Sequence, residues 1–343
     1  MMCSKVSYIR RIASVTPVLS FQHRHQSLSS RAYVAAAVPV LLCLTFTSGC
    51  KTSDDAAAAA TQLTATASTL TNYYFALDTL NTELDQLYQI QAAINPLAPY
   101  DTSTQKLVTD TSAEIQKREK LAAALTTLAQ EFANLSGSTS ATDASAAAGN
   151  LETAVAGLKI SGLSMSASNV NVMKDAVDLI VKAIQEHKER EAAAAIDKFT
   201  AALDTWFQSE EPYYNTIGSA YASVSKSLAQ AMISQGQVDP TPFLSAVFGP
   251  YGLTPQLTDS TLKSKVLAAL ALQIDQKSAA LATAQQTATT NMEKSLGEMA
   301  SRIHLVATDK PMAIRSAPIT LADVQNWISL VPQIAPAAIT AAK

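Results

Sequence analysis

Leu63, Leu70, Leu77 and Leu84 recur every seven residues, and Tyr73, Leu80, Leu87 and Ile94 fill the interleaved position. This spacing predicts a long helix packed along one face, ending near Asn95 before Pro96 and Pro99. A second helix, capped by Asp101 or Thr102, carries the stripe Leu107, Val108, Ile115, Leu121, Leu125, Leu128, Phe132 and Leu135. The run Glu114 to Lys120 reads as its charged, solvated face. Ser136-Gly137-Ser138-Thr139-Ser140 reads as a loop, and a short alanine-rich helix is expected over about 141–158.

A third long helix is expected from Ser168 or Asn169 to about Ser209. Met173, Val177, Ile180, Ile184, His187, Glu191, Ala195, Phe199, Leu203 and Trp206 lie on or near one face of it. Pro212 is expected to break or kink the chain, with helix resuming from Tyr213 to about Ser234. A Pro/Gly-rich connector then spans Gly236 to Asp259. Its apolar part, Phe243 to Leu253, is expected to fold back as a cap over the bundle end. Asp259 or Ser260 caps a last long helix reaching about Val306, and a short helix with Trp327 and Ile328, limited by Pro332 and Pro336, closes the pattern. Helices of about 35–45 residues span about 50–65 Å, and short connections favour antiparallel neighbours. The expected fold is therefore all-α: an elongated antiparallel bundle of long helices with short capping helices. It forms one domain over 61–335, followed by a tail at 336–343.

Composition agrees with helix. Ala, Leu, Thr, Ser and Gln dominate, and glycines number only ten. Charge is asymmetric. Residues 1–49 carry Lys5, Arg10, Arg11, Arg24 and Arg31 and no acid, while the remainder holds 20 Lys/Arg against 28 Asp/Glu, a net −8. That acidic balance argues against nucleic acid as partner, because counterion release needs a basic patch.

The N-terminus has the three parts of a secretory signal: a positive n-region, an apolar run from about Ala32 to Phe46, and small residues after it. The apolar run is short for a transmembrane helix. Leu44-Thr45-Phe46-Thr47-Ser48-Gly49-Cys50 resembles the signal of bacterial lipoprotein precursors. Ser48, Gly49 and Cys50 match that pattern; Thr47 departs from the leucine preferred at its place. The resemblance implies cleavage after Thr47-Ser48-Gly49 and acylation of Cys50; Lys51 to Ala60 is small, polar and alanine-rich and reads as a short tether, which makes 50–60 lipid anchor and tether. Lys51, rather than Asp, follows the cysteine. In proteobacterial lipoproteins this implies sorting to the outer membrane, with the domain facing the periplasm or the exterior. The other cysteines, Cys3 and Cys43, lie in the part to be removed, so no disulfide framework is expected.

Candidate chemistry is sparse. His187 and Glu191 stand one turn apart, as an acid–base or metal pair would. However, the chain after Cys50 has only His187 and His304, and neither completes a Glu-x-x-His motif. Both read as structural. Glu210 and Glu211 are adjacent and point about 100° apart on a helix, so they read as an acidic turn before Pro212 rather than a catalytic pair. No nucleophile elbow, phosphate-binding glycine loop or metal-binding motif occurs. No catalytic residue, metal or cofactor is expected. Trp206, Tyr213, Tyr214 and Tyr221, with Phe243 and Phe248 in the connector, form the candidate partner or ligand surface.

The expected function is a lipid-anchored, non-enzymatic cell-envelope protein. It is structural or protein-binding, with the membrane held through Cys50 and another envelope protein as partner. Two alternatives stand beside it. One is a membrane-acting protein, similar in outline to the α-helical pore-forming toxins, with Phe243 to Leu253 as apolar tongue. The other is a small-ligand carrier with a pocket near Trp206 and Tyr213.

Overall fold

The computed structural model describes residues 51–95, 100–135, 141–158, 167–186, 188–308 and 320–334. These residues form eight α-helices, one 3₁₀ turn and no strand, so the fold is all-α. The helices are α1 (Lys51–Ile94), α2 (Thr102–Leu135), α3 (Ala141–Gly157), α4 (Ala167–Gln185), α5 (Glu189–Ser234), α6 (Thr241–Phe248), α7 (Ser260–Ala307) and α8 (Ala322–Ile334).

Caps fix the two most legible starts. Asp101 accepts hydrogen bonds from the Thr104 amide at 2.7 Å and the Ser103 hydroxyl at 2.6 Å, which places the start of α2 at Thr102. Those bonds hold the Asp101 carboxyl down at a pKa of about 2. The Asp259 carboxylate likewise accepts from the Leu262 amide at 2.7 Å and starts α7. By contrast, α1 begins at Lys51 and leaves no tether over 51–60. The run Ala56 to Ala60 has the highest helix propensity of any residue type, and Ala59, Ala60 and Leu63 are already buried.

The helices run up and down in chain order. α1 packs on α2, α2 on α3, α3 on α4, α4 on α5, and α5 back on α1, which closes a ring of five. α7 then lies against both α1 and α5, and α8 against α1 and α7. The seven-residue pattern of α1 explains its central place. Leu63, Leu70, Tyr73, Leu77, Leu80 and Leu84 are all buried, facing four different helices in all.

Two features differ from the sequence pattern. The expected helix 168–209 is two antiparallel helices, α4 and α5, reversing direction at 186–188. Lys188 leaves the helical region (φ −104°, ψ 78°), and its amide reaches back to the Ala183 carbonyl at 2.8 Å. Between Ile184 and Ala192 no described side chain is buried, so packing does not hold this charged stretch straight. The second difference is Pro212, which lies inside α5 without ending it. A proline in a helix interior costs about 3 kcal/mol. Burial of Trp206, Phe207 and Tyr214 on either side offsets that cost.

Leu107 is also misplaced by the pattern: it is 64% exposed, while Val108 beside it is buried and receives Asn81 on its carbonyl at 2.9 Å. We expect Leu77→Ala to lose about 2–5 kcal/mol in urea unfolding. Leu107→Ala should change stability by no more than about 0.5 kcal/mol in the same measurement.

Candidate functional site

The candidate residues separate into two places. Trp206 and Tyr214 are fully buried, Tyr221 is nearly so, and Tyr213 is half-buried, all on α5. Phe243 and Phe248 lie in the connector between α5 and α7.

The α5 aromatics line no groove; they meet one another and two residues that the stripe pattern hid. Tyr73, Tyr74, Phe207 and Tyr214 pack as tilted and edge-on pairs with centroids 5.3–6.4 Å apart, and Trp327 of α8 joins Tyr73 at 5.3 Å. At their edge sits Arg118, 0% exposed, its guanidinium 5.3 Å from the centre of the Trp206 ring. Arg118 therefore does not belong to a solvated face. It grips Glu210 with two parallel bonds, Nε to Oε2 at 2.8 Å and Nη2 to Oε1 at 2.6 Å. Its Nη1 donates to the Glu114 carbonyl at 2.6 Å. The Tyr214 hydroxyl donates to Glu210 Oε2, and the Tyr74 hydroxyl lies 3.3 Å from that of Tyr214.

Three bonds thus hold the Glu210 carboxylate, and at 1% exposure it is closed to solvent. Burial pulls the Arg118 pKa down, but the Glu210 carboxylate outweighs it and holds the guanidinium above its ordinary value. Burial raises Tyr73, Tyr74 and Tyr214, and the Glu210 charge raises the last two further, so these phenols stay neutral donors. Glu210 thus serves the core, while Glu211, turned away as adjacent helical positions require, accepts from Thr290 of α7 at 3.1 Å. The group is a structural lock across α1, α2 and α5.

A second set of contacts ties α7 to the same level. The Tyr73 hydroxyl meets Thr289 Oγ1 at 2.7 Å, and Gln285 Nε2 donates to the Tyr214 carbonyl. Gln285 comes this close only because residue 218 is glycine: a Cβ there would stand 1.5 Å from Gln285 Oε1. Further along the seam, burial raises the Glu293 carboxyl, and the charges of Glu211 and Asp204 raise it further; burial also raises Asp204.

The histidine candidates bring nothing together. His187 lies outside the described residues, as do Thr47, Ser48, Gly49 and Cys50. Glu191 is exposed and pairs with Lys188 at 3.2 Å. His304 is exposed, with Nδ1 3.0 Å from Asp197 Oδ2. Among the described residues no group of His, Cys, Asp or Glu is arranged to hold a metal ion.

The open surface is elsewhere. Beyond Leu228 on α5, and before Leu281 on α7, neither helix buries a side chain. The two continue as a hairpin arm, tied by the Lys226–Asp275 ion pair. At its end, α6 buries no residue and packs only against the 3₁₀ turn Gly249–Tyr251. The connector therefore does not fold back as a cap. Pro240, Pro242, Pro250 and Pro255 stiffen it, and the Asp239 and Asp259 carboxylates hold the starts of α6 and α7 locally. Val247, Phe248, Tyr251 and Leu253 are exposed there, Tyr251 to 77%, and Phe243 is half-buried. This arm end is the candidate interaction surface.

No family model, curated protein or solved structure matches the chain.

Arg118→Ala should lose about 3–5 kcal/mol in chemical unfolding, because Glu210 is left buried and unpaired. Glu210→Leu should lose a similar amount, and Arg118→Met with Glu210→Leu should recover most of it; with Arg118→Met alone these close a double-mutant cycle that measures the coupling. A second expectation concerns pH. Glu293 and Asp204 have raised carboxyl pKa values in the folded state, so the fold binds their protons more tightly than the unfolded chain. Their penalty is absent below the ordinary carboxyl pKa of about 4.3, sets in above it, and is complete once pH passes the folded values. Glu293→Gln should therefore raise Tm at pH 7, with the gain fading as pH falls to about 4.

Proposed function

We propose that this chain is a lipid-anchored, non-enzymatic component of a bacterial cell envelope, held through Cys50 and making contact through the end of the α5–α7 arm. The observation that carries the reading is polarity along the bundle. Ala59, Ala60 and Leu63 of α1 line a small hollow with Ala193 and Ile196 of α5 and Ile303 and Val306 of α7. Farther along, Tyr73 meets Phe207 and Tyr214 of α5 and Thr289 of α7. So α1 runs parallel to α5 and antiparallel to α7, and the start of α1 lies at the end away from the arm tip. The 43 residues from Ile303 back to Ser260 put about 65 Å of helix between them.

A protein tethered at residue 50 would hold its exposed apolar end well clear of the anchoring surface. That suits a spacer or adaptor in the envelope. The interior agrees with the non-enzymatic part of the proposal, since the buried Arg118–Glu210 pair spends these bonds on neighbours within the core. The carrier alternative fits poorly, because Trp206 and Tyr214 fill their space with other side chains. The toxin-like alternative fits poorly as well. α6 has eight residues, about 12 Å against a hydrocarbon core of about 30 Å, and no helix among the described residues is long and apolar enough to cross a membrane.

Mass spectrometry of the protein isolated from bacterial membranes should find Cys50 as an acylated N-terminal residue. An unmodified Cys50, or an N-terminus at another position, would refute the anchoring.

A further inference from the structure

We propose that the connector at the end of the α5–α7 arm is a lipid-contacting element, which settles its apolar side chains into the interfacial layer of a bilayer. The proposal rests on the reading of the arm end as the contact surface and names what it contacts. Of the eleven exposed large apolar residues among the described residues, four lie within the seven residues 247–253: Val247, Phe248, Tyr251 and Leu253. The remainder are spread over α1, α2, α4 and α7. The connector holds the densest concentration of them.

Charge selects the occupant. Residues 240–258 contain no Asp, Glu, Lys, Arg or His. The acids that bracket this stretch are at its base and already engaged. Asp239 accepts from the Thr241 amide at 2.9 Å and is held ionised by that bond, with Lys263 nearby; Asp259 accepts from the Leu262 amide at 2.7 Å. Lys263 and Lys265, in the first turns of α7, balance them. A specific protein partner is usually met through a polar rim that fixes register around an apolar centre. Here 240–258 offers no charge that could fix a partner's register, and the charges that border it stand at its base. A bilayer asks for no register, and nothing in 240–258 repels its headgroups.

Shape agrees. α6 and the 3₁₀ turn touch no other helix, so the element protrudes, and a protruding element suits a deformable surface. Its depth is limited to the interface. Eight helical residues cannot span, and the non-helical stretch 254–258 needs water or headgroups for its backbone. Phe248 and Tyr251 are residue types that favour this depth, with rings toward the acyl chains and the tyrosine hydroxyl toward water.

The test places a reporter at the tip of the full chain, whatever the state of its N-terminus. Tyr251→Trp adds one indole there, and the emission of the unsubstituted chain, with its buried Trp206 and Trp327, is subtracted. Vesicles of phosphatidylcholine and phosphatidylglycerol, three to one, carry brominated acyl chains. Quenching and a blue shift of the added emission are expected, and Phe248→Ser in the same background should weaken the apparent partitioning about tenfold. Circular dichroism should be unchanged by both substitutions, since α6 packs on no other helix. Unquenched emission from the tip with vesicles in excess would overturn the proposal. So would a blue shift that needs no vesicles, grows with protein concentration and vanishes in Phe248→Ser, because the occupant would then be a second copy. Acylation of Cys50 is read separately by mass spectrometry, so failure at the tip and failure of the anchor give different results.

Discussion

The bundle depends on one ion pair. α2 and α5 do not pack backbone to backbone; Arg118 and Glu210 reach across the space between them. α4 starts at Ala167 and runs antiparallel to α5 from the turn at 186–188, so its first residues stand level with Phe207. The Arg118–Glu210 pair therefore sits where α4 runs out and the five-helix ring opens. A charged pair at that position costs desolvation, and its geometry answers it. Both carboxylate oxygens accept from Arg118, one also accepts from Tyr214, and Trp206 covers the guanidinium face. The pair stabilises less by its Coulomb energy than by fixing how far apart the two long hairpins can stand.

The aromatic layer gains its order from that constraint. Tyr73 and Tyr74 are consecutive on α1, yet both are fully buried, because α1 is surrounded at this level. One hydroxyl serves the ion-pair side and the other serves Thr289 on α7. Gly218 then admits Gln285 against α5 on the far side. Packing and helix spacing are thus decided within three turns of α5. Beyond this level the molecule has only paired helices, and burial falls away along the α5–α7 arm. Local opening should be easiest there, since few buried contacts oppose it.

Much of the fold is legible in the sequence, for physical reasons. The end of α1 before Pro96 and the starts of α2 and α7 at Asp101 and Asp259 are legible, because breakers and caps are local signals; the start of α1 is not, since the small residues from Lys51 to Ala60 read as a tether. The reversal at 186–188 stays hidden because Ile184 and Ala195 keep a helical phase across a turn that carries no glycine or proline. Pro212 misleads in the opposite sense, since tertiary burial around it outweighs its local cost. Arg118 looks solvated among the charges around it, yet it falls on the stripe Ile115, Arg118, Ala122, Leu125. Glu210 falls in the same way on Phe207, Glu210, Tyr214, Ile217. Two opposite charges, each on a buried stripe, are the signal for the lock. The arm end misleads because an apolar stretch ordinarily folds inward, and only the absence of helix contacts on α6 shows that this one does not.

The first helix begins at Lys51, a single peptide bond from Cys50, and continues for 44 residues, about 65 Å. Under the proposed anchoring at Cys50 it would act as a mast stepped close to its base. A tilt of about 10° at residue 50 would sweep the far end of such a mast through about 11 Å. The bearing of the apolar arm would then be steered from the opposite end of the protein.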